Sequence, residues 1–260
     1  MHRVSSIIRG EQIAAYVQNA RLNPASGYEN DVCIYVKPHI KRDQDFNFEG
    51  HPYLDMVDGY ELRHILLKHP EVPAIVVSDM DAETMSKLVK NKIVLIPHHH
   101  INFERARFER DGIKRVGFIG SPPALSYIPD EIRHGLANRN IELVEHSLMI
   151  PRTLVTKFYS QMDVMLVWSP YNAPDKPGFY NPFKIVNASA FGIPTIALDK
   201  PAFAEMKGCY IPIQTPEEFF TELDALRTSK TLYNDISRVC LQKSEKYHIE
   251  NIAKLYQQLI

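Results

Sequence analysis

Two polar side chains stand near the start of an apolar helical pattern in the stretch NPFKIVNASAFGIPTIAL, residues 181–198. Lys184 and Asn187 are three positions apart, a spacing that puts them on one face of a helix. The first turn of a helix has free N–H groups and the positive end of the helix dipole, so a lysine there is unfavourable unless an anion binds. The pattern therefore predicts either an anion site or a solvated lysine beside a structural asparagine.

The residues around this pair predict where the helix begins and ends. Asn181 can serve as N-cap, and Pro182 suits the first helical position, where its missing N–H costs nothing. Gly192 can end the helix in a left-handed conformation. The following segment, IPTIAL, reads as a buried strand. Lys184 is thus expected on a short helix that leads into the sheet.

A run of three histidines, PHHHINFER, is the other cluster that could do chemistry. In an extended segment His98 and His100 point to the same side, as two metal ligands would. No third ligand follows at a recognisable spacing, so we expect no bound metal. Contact with a ligand and a purely structural role in a hinge both stay open.

Composition excludes several classes of protein. The 260 residues carry 30 Lys and Arg against 31 Asp and Glu, which gives no basic field for nucleic acid. The three cysteines form no metal or disulfide pattern, and no apolar run approaches a membrane span. We therefore expect a cytoplasmic globular protein. The four arginines of FERARFERDGIKR leave open association with an acidic acceptor or the inner face of a membrane.

Short apolar runs alternate with helical patterns along most of the chain, which is typical of α/β folds with parallel sheets. The first series runs from RVSSII to KIVLIP, and the second starts at KRVGFIGS. The polar crossover between them predicts an N-terminal domain of residues 1–104 and a C-terminal domain of residues 105–260. Ligands of such sheets bind beyond the carboxyl ends of the strands.

The segment KFYSQMDVMLVWSP followed by NPFKIVNASAFGIPTIALDKPAFAEM resembles the C-terminal domain of GT-B-fold glycosyltransferases, especially retaining family 4. The tail from CYIPIQTPEEFF to IAKLYQQL and the passage NKIVLIPHHHINFE to IKRVGFIGS are also similar. The resemblance extends from about Asp79 to the C-terminus. It implies two Rossmann-type domains whose parallel sheets face a cleft, with a final helix that can cross back.

The resemblance also implies a donor site around the helix. Lys184 and the backbone of Asn181, Pro182 and Phe183 would hold a diphosphate, and Asn187 would hold the ribose. The E-x7-E motif of the family is altered, because Asn187 replaces its second Glu and Phe179 falls at its first. The Arg/Lys pair that commonly holds the diphosphate in the family is not obvious either, because its Arg comes soon after the glycine at the position of Gly120, and here Ser121 and two prolines follow.

The remaining site residues are implied by position within the family pattern. Those expected to bind the donor or acceptor are Arg9, Gly10, His98, Gly120, Met149, Ile150 and Glu205. Asp58, at the tip of LDMVDGYEL, is where a general base facing the acceptor could sit. Local structural roles for Arg9, Gly10, Asp58 and Glu205 remain open.

The implied function is transfer of a sugar from a nucleotide-diphosphate donor to a hydroxyl of a glycan or lipid-linked acceptor, as in polysaccharide biosynthesis. GT-B enzymes generally need no metal, because helix dipoles and basic side chains stabilise the departing diphosphate. We therefore expect no cofactor. Two alternatives remain: a sugar-nucleotide-binding protein without catalysis, and a sugar-nucleotide epimerase using Asp58 and His98–His100.

Overall fold

The computed structural model describes residues 4–41, 44–147, 151–169 and 181–259. These residues form two compact units. The first contains the described residues of 4–99 and 249–259, together with Asn181; the second contains those of 100–169 and 182–248. The final helix therefore belongs to the first unit, in agreement with the prediction of a final helix that can cross back.

Each unit is built around a parallel sheet, which confirms the α/β prediction. The strands of the first sheet are in the order β1-β2-β3-β4, and those of the second in the order β6-β5-β7-β8-β9. All the pairings are parallel. The strands are β1 Val32–Val36, β2 His51–Asp55, β3 Ala74–Val76, β4 Ile93–Leu95, β5 Arg115–Ile119, β6 Glu142–His146, β7 Val164–Val167, β8 Thr195–Leu198 and β9 Tyr210–Ile213.

Helices connect most of the strands and complete both units. In the described residues they are α1 Val4–Ser6, α2 Gln12–Ala14, α3 Arg63–Lys68, α4 Asp79–Leu88, α5 Pro122–Leu125, α6 Asp130–Asn138, α7 Arg152–Ser160, α8 Phe183–Ala190, α9 Pro216–Thr228, α10 Lys230–Ser244 and α11 Ile249–Gln257. A π-helical turn, Ile7–Glu11, joins α1 to α2, and a 3-10 helix, Pro201–Met206, follows β8. Among the described helices, none combines the length and apolar character needed to cross a bilayer.

The predicted first strand, RVSSII, is wrong: this segment is helical from Val4 to Ala14. Ile8 and Ile13 are buried on this helical segment. A short apolar run fits a buried strand and a helix face equally well, and here packing selects the helix. Arg9 and Gly10 consequently lie inside a helical turn and not in a loop between a strand and a helix.

The strand order of the second sheet fixes where a ligand can approach it. The sheet extends from β5 to β6 on one side and from β5 through β7 to β9 on the other. Connections that leave β5 and β7 therefore diverge, which opens a crevice at the carboxyl ends of these strands. Gly120 follows β5 directly. We call this edge of the second sheet the switch-point edge.

Helix α8 reaches this edge at its N-terminus and ends as predicted. Gly192 has a φ of 66°. Its N–H donates to Ser189 O at 2.9 Å, and the N–H of Ile193 donates to Ala188 O at 3.0 Å, which is a Schellman motif. The start differs by one residue from the prediction, because Pro182 is the N-cap and Phe183 the first helical residue.

Candidate functional site

Gly120, the residue after β5, is where the main chain comes close to the side chain of Lys184 in α8. A Cβ atom at this position would lie 2.9 Å from Ala124 Cβ and 3.5 Å from Lys184 Nζ. The Gly120 N–H donates to His146 O at 3.0 Å, which ties the residue to β6. The missing side chain therefore avoids a clash with Ala124, at a position that lies within contact distance of the Lys184 ammonium.

Lys184 occupies the first turn of α8, where the dipole disfavours a cation. Its Nζ lies 5.2 Å from the ring centroid of Phe118, near the end of β5. The face of an aromatic ring attracts a cation, but only by about 0.5–2 kcal/mol. Within the described part of the chain, Lys184 forms no ion pair with a carboxylate. A half-buried ammonium in this position can bind an anion.

Lys200 brings a second positive charge to this edge, and the sequence reasoning missed it. It follows β8 by two residues, precedes the 3-10 helix Pro201–Met206, and is buried, with 4% of its surface exposed. Burial lowers the pKa of Lys200. Burial and the charge of Lys200 together lower the pKa of Lys184 from 10.5 to about 8. The charge of Lys200 thus disfavours the charged form of Lys184, and a bound anion would offset this repulsion.

The depressed pKa of Lys184 predicts a stability change with pH. Between about pH 8 and 10.5 the unfolded state holds the Lys184 proton more firmly than the folded state does. The free energy of unfolding therefore rises with pH through that window, because the folded protein loses the unfavourable buried charge of Lys184. Below about pH 8 the folded protein has the full cost of that charge. Lys184→Met removes the penalty, so we expect the variant to exceed the wild type most at pH 7.

Urea denaturation of both proteins at pH 7, 8, 9 and 10 checks this expectation. The difference in free energy of unfolding should shrink steadily across the series, since titrations at other positions are common to both proteins. A constant difference at all four values would contradict the assigned titration of Lys184.

Asn187 lies one turn from Lys184 but is engaged in an internal contact. It is buried, with 4% exposed, and its Oδ1 accepts the backbone N–H of Ile101 at 3.0 Å. Its carbonyl oxygen thus holds the chain segment that follows the histidine run. The ribose role stays a prediction.

The remaining residues predicted around the donor are placed as follows. Pro182 is buried, while Asn181 and Phe183 are half-buried beside the start of α8 in sequence. Glu205 is half-buried in the 3-10 helix that follows Lys200. Met149 and Ile150, predicted to cover a base, lie outside the described residues. Lys184 and Gly120 lie next to each other at the switch-point edge.

Arg9 has an internal partner in the first unit. Its Nε donates to Asp55 Oδ2 at 2.6 Å, and its Nη1 donates to the carbonyls of Ile96 and Pro97 at 3.0 and 3.1 Å. Arg9 is 3% exposed, and Asp55 is fully buried. The predicted turn between a strand and a helix is wrong, because Arg9 and the adjacent Gly10 belong to the π-helical turn, while donor binding by either residue stays a prediction.

Asp58 lies just beyond β2 and is accessible. About half of its side chain, 54%, is exposed, and it forms an ion pair with Lys37. The preceding residue, Val57, has a φ of 55°, a strained conformation for a β-branched residue. Asp58 is thus presented on a strained turn at the carboxyl end of the first sheet. Its role as a general base stays a prediction.

The histidine run is divided between the units. His98 is buried in the first unit, where burial, with the charges of Arg9 and His99, lowers its pKa well below 6.5. His100 belongs to the second unit, and its ring centroid lies 5.3 Å from that of His248. Among the described residues, no group of three His, Cys, Asp or Glu side chains is arranged to hold a metal. Contact of His98 with a ligand stays a prediction.

No protein-family model and no curated protein matches the chain by sequence. Solved structures are nevertheless similar to it in fold. HepE from Anabaena, in complex with UDP and glucose, aligns with a TM-score of 0.57 and 10% identity over 80% of this chain and 70% of that one. A glycosyltransferase from Rickettsia africae aligns at 0.51 and 10% identity over 80% and 69%.

The Glycosylation Associate Protein (Gap123) complex from Streptococcus agalactiae is also similar. It aligns with a TM-score of 0.54 and 10% identity over 81% of this chain and 49% of that one, so the chain spans about half its length. At this identity the likeness concerns the fold alone. It confirms the predicted α/β, GT-B-like fold class.

Proposed function

We propose that the protein is a glycosyltransferase that moves a sugar from a nucleotide-diphosphate donor to a hydroxyl group of a glycan or lipid-linked acceptor. The observation that carries the proposal is the half-buried Lys184 ammonium at the N-terminus of α8, on the switch-point edge of a parallel sheet. The fold shared with a structure containing UDP and glucose supports a nucleotide sugar as donor.

The proposed chemistry requires stabilisation of a departing diphosphate. The bond between the anomeric carbon and a phosphate oxygen breaks, and its electron pair leaves with the diphosphate. The acceptor oxygen forms the new bond to the anomeric carbon and releases its proton. Negative charge that develops on the leaving group is best stabilised by donors already aimed at it. Lys184 and the free N–H groups of α8 would supply those donors.

Asp58 is proposed as the base that takes the proton of the acceptor. Its exposed carboxylate is accessible to an acceptor from solvent, and it pairs with Lys37. The fully buried Asp55, three residues earlier, already accepts hydrogen bonds from Arg9 and Tyr256. Of the two carboxylates, Asp58 is therefore the better candidate.

Nucleotide binding is the direct test. At a concentration one hundred times its Kd, the correct donor should stabilise the folded protein by roughly 2.7 kcal/mol. This corresponds to a rise in Tm of about 5–10 °C. Differential scanning fluorimetry with UDP, GDP, ADP, CDP and their sugars checks the expectation, with the matching nucleosides as controls that lack phosphate. The proposal fails if no nucleoside diphosphate or sugar raises Tm above the nucleoside controls.

A second candidate is a sugar-nucleotide-binding protein without turnover. Asn187 favours it, because an asparagine stands at the position where the resembled family has an acidic residue, and its oxygen contacts Ile101. Tight donor binding with neither transfer nor hydrolysis across an acceptor panel would favour this candidate over the transferase.

A further inference from the structure

Two of the three cysteines lie side by side in the core of the second unit. Cys209 directly precedes β9, and Cys240 belongs to α10. The Cys240 Sγ donates to Cys209 O at 3.4 Å, and the Cys209 Sγ donates to Val239 O at 3.9 Å. Each thiol therefore lies against the main chain of the other cysteine or of its neighbour. The two cysteines are 31 positions apart, so their spacing in the sequence predicts no such pair.

The main chain on both sides holds this thiol pair in place. Gly208 has a φ of 89°, a left-handed conformation that favours glycine, and the N–H of Cys209 donates to Met206 O at 2.9 Å. Together they fix the turn that leads into β9. On the other side, the Cys240 Sγ lies 4.0 Å from Ile193 O, just beyond the end of α8. Both cysteines are fully buried, so the two thiols meet inside packed structure.

The two thiols also differ in acidity. The hydrogen bond from the thiol of Cys240 lowers the pKa of Cys209 against the opposing effect of burial. The same interaction, together with burial, raises the pKa of Cys240 well above its ordinary value. A thiolate is the nucleophile in thiol–disulfide exchange. Of the pair, Cys209 is therefore suited to attack a disulfide first and Cys240 to complete the exchange.

We propose that Cys209 and Cys240 are a site of reversible disulfide formation, at which a small-molecule disulfide, oxidised glutathione, joins α10 to the start of β9. The thiolate of Cys209 attacks one sulfur of the oxidant, whose S–S bond breaks and releases one glutathione thiolate. Cys240 then loses its proton and attacks Cys209 Sγ, and the electron pair of the mixed disulfide leaves with the second glutathione. The cysteines lose two electrons and two protons, and the oxidant takes them up as two thiols.

The burial of the pair determines how this reaction proceeds. Oxidised glutathione reaches the thiols only when α10 opens locally, so exchange in the folded protein is slow and speeds up when local opening becomes more frequent. The site does not depend on the proposed function, because neither cysteine belongs to the candidate donor site.

Peptide mapping without reductant tests the pairing. The wild type is incubated with oxidised glutathione in buffer and in urea below the unfolding transition. Trypsin then releases residues 208–227 and 239–243, each of which contains one cysteine. We expect these two peptides to be joined by a disulfide, sooner in urea than in buffer, and to separate in dithiothreitol. Protein unfolded in concentrated urea is the control, because all three cysteines are accessible there.

Two mapping results would overturn the proposal. In the first, the peptides stay unlinked in the folded protein under both conditions although the cysteines of the unfolded control have reacted. In the second, Cys33 in the first unit is the main disulfide partner of either peptide in the folded protein.

Thermal unfolding tests whether the folded structure accommodates the bond. A disulfide between positions 31 residues apart should raise Tm by about 5–10 °C, and dithiothreitol should reverse the rise. Cys33→Ser is the matched control and should keep the full rise, since its hydroxyl can still donate to the carbonyls of Tyr28 and Asp31. Cys209→Ala and Cys240→Ala should show none. Each variant is compared with its own reduced sample, because alanine leaves a cavity at these buried positions.

The outcome in Tm is decisive even where a variant is destabilised. A wild type in which the two peptides are linked but Tm is unchanged or lower would show that the thiols are not held in a geometry suited to the bond, and would overturn the proposal. A rise that persists in Cys240→Ala would overturn it as well, because the stabilisation would then come from a modification elsewhere.

Discussion

Lys184→Ala is expected to lower donor turnover at least about tenfold, the effect of losing some 1.4 kcal/mol of transition-state stabilisation. The expectation follows from the position of the ammonium, at the positive end of α8 and beside Gly120. Among the residues that the structure describes, no carboxylate forms an ion pair with it. Charge on a leaving diphosphate grows as the sugar departs, so the loss should fall on kcat as well as on KM. Initial rates of donor consumption with and without acceptor measure it.

Two variants make this result specific. Lys184→Arg keeps a cation in the same turn and should retain more activity than the alanine variant, although its wider guanidinium must fit the space beside Gly120. Lys157→Ala is the matched control, since Lys157 is an exposed lysine in the last turn of α7, where a cation suits the dipole. Equal turnover in Lys184→Ala and Lys157→Ala would reject the assignment of Lys184 to the leaving group.

Local sequence signals were sufficient for the elements that build the second unit. Gly192 predicted the end of α8, and it adopts the left-handed conformation there. Thr215 caps α9 by accepting the N–H of Glu218 at 3.2 Å, as a threonine three residues before a glutamate predicts. Alternation of apolar strands and helices predicted both parallel sheets. These features depend on neighbours in the chain, so one sequence contains the information that specifies them.

Features that depend on distant neighbours could not be predicted in this way. The partner of Asn187 is the N–H of Ile101, 86 positions away in the chain. Residues 4–8 of RVSSII are helical, with Ile8 buried in the first unit, and the apolar pattern of the segment does not specify that outcome. In the sequence Lys200 is one more lysine between a strand and a proline, and only the sheet order, which puts β8 beside β7, shows that it lies at the switch-point edge.

Arg9, which lies in a helical turn and not in the predicted loop, forms a buried ion pair in the first unit. Arg9 Nε and Asp55 Oδ2 are 2.6 Å apart, and both side chains are almost fully inaccessible to solvent. Tyr256 of α11 donates to the same carboxylate oxygen at 3.2 Å, and its ring lies 5.5 Å from the guanidinium carbon. The interaction raises the pKa of Arg9 against the opposing effect of burial. Two distant parts of the chain thus converge on Asp55.

Asp55→Ala is therefore expected to lower the free energy of unfolding of the first unit by about 3–5 kcal/mol, because it leaves the buried Arg9 charge uncompensated. Arg9→Met combined with Asp55→Asn removes both charges and should recover much of the loss. Lys87→Ala breaks the exposed pair with Glu83, whose side chains are 68% and 71% exposed, and should cost at most about 1 kcal/mol.

Hydrogen exchange followed by mass spectrometry measures these changes where they occur, in peptides that cover β2 and α11. Exchange there should accelerate by more than about a hundredfold in Asp55→Ala and by much less in the charge-free double variant. If the double variant exchanges as fast as Asp55→Ala, the loss comes from packing around residue 55 and not from an isolated charge. Similar exchange in Asp55→Ala and Lys87→Ala would show that the buried pair contributes no more than an exposed one.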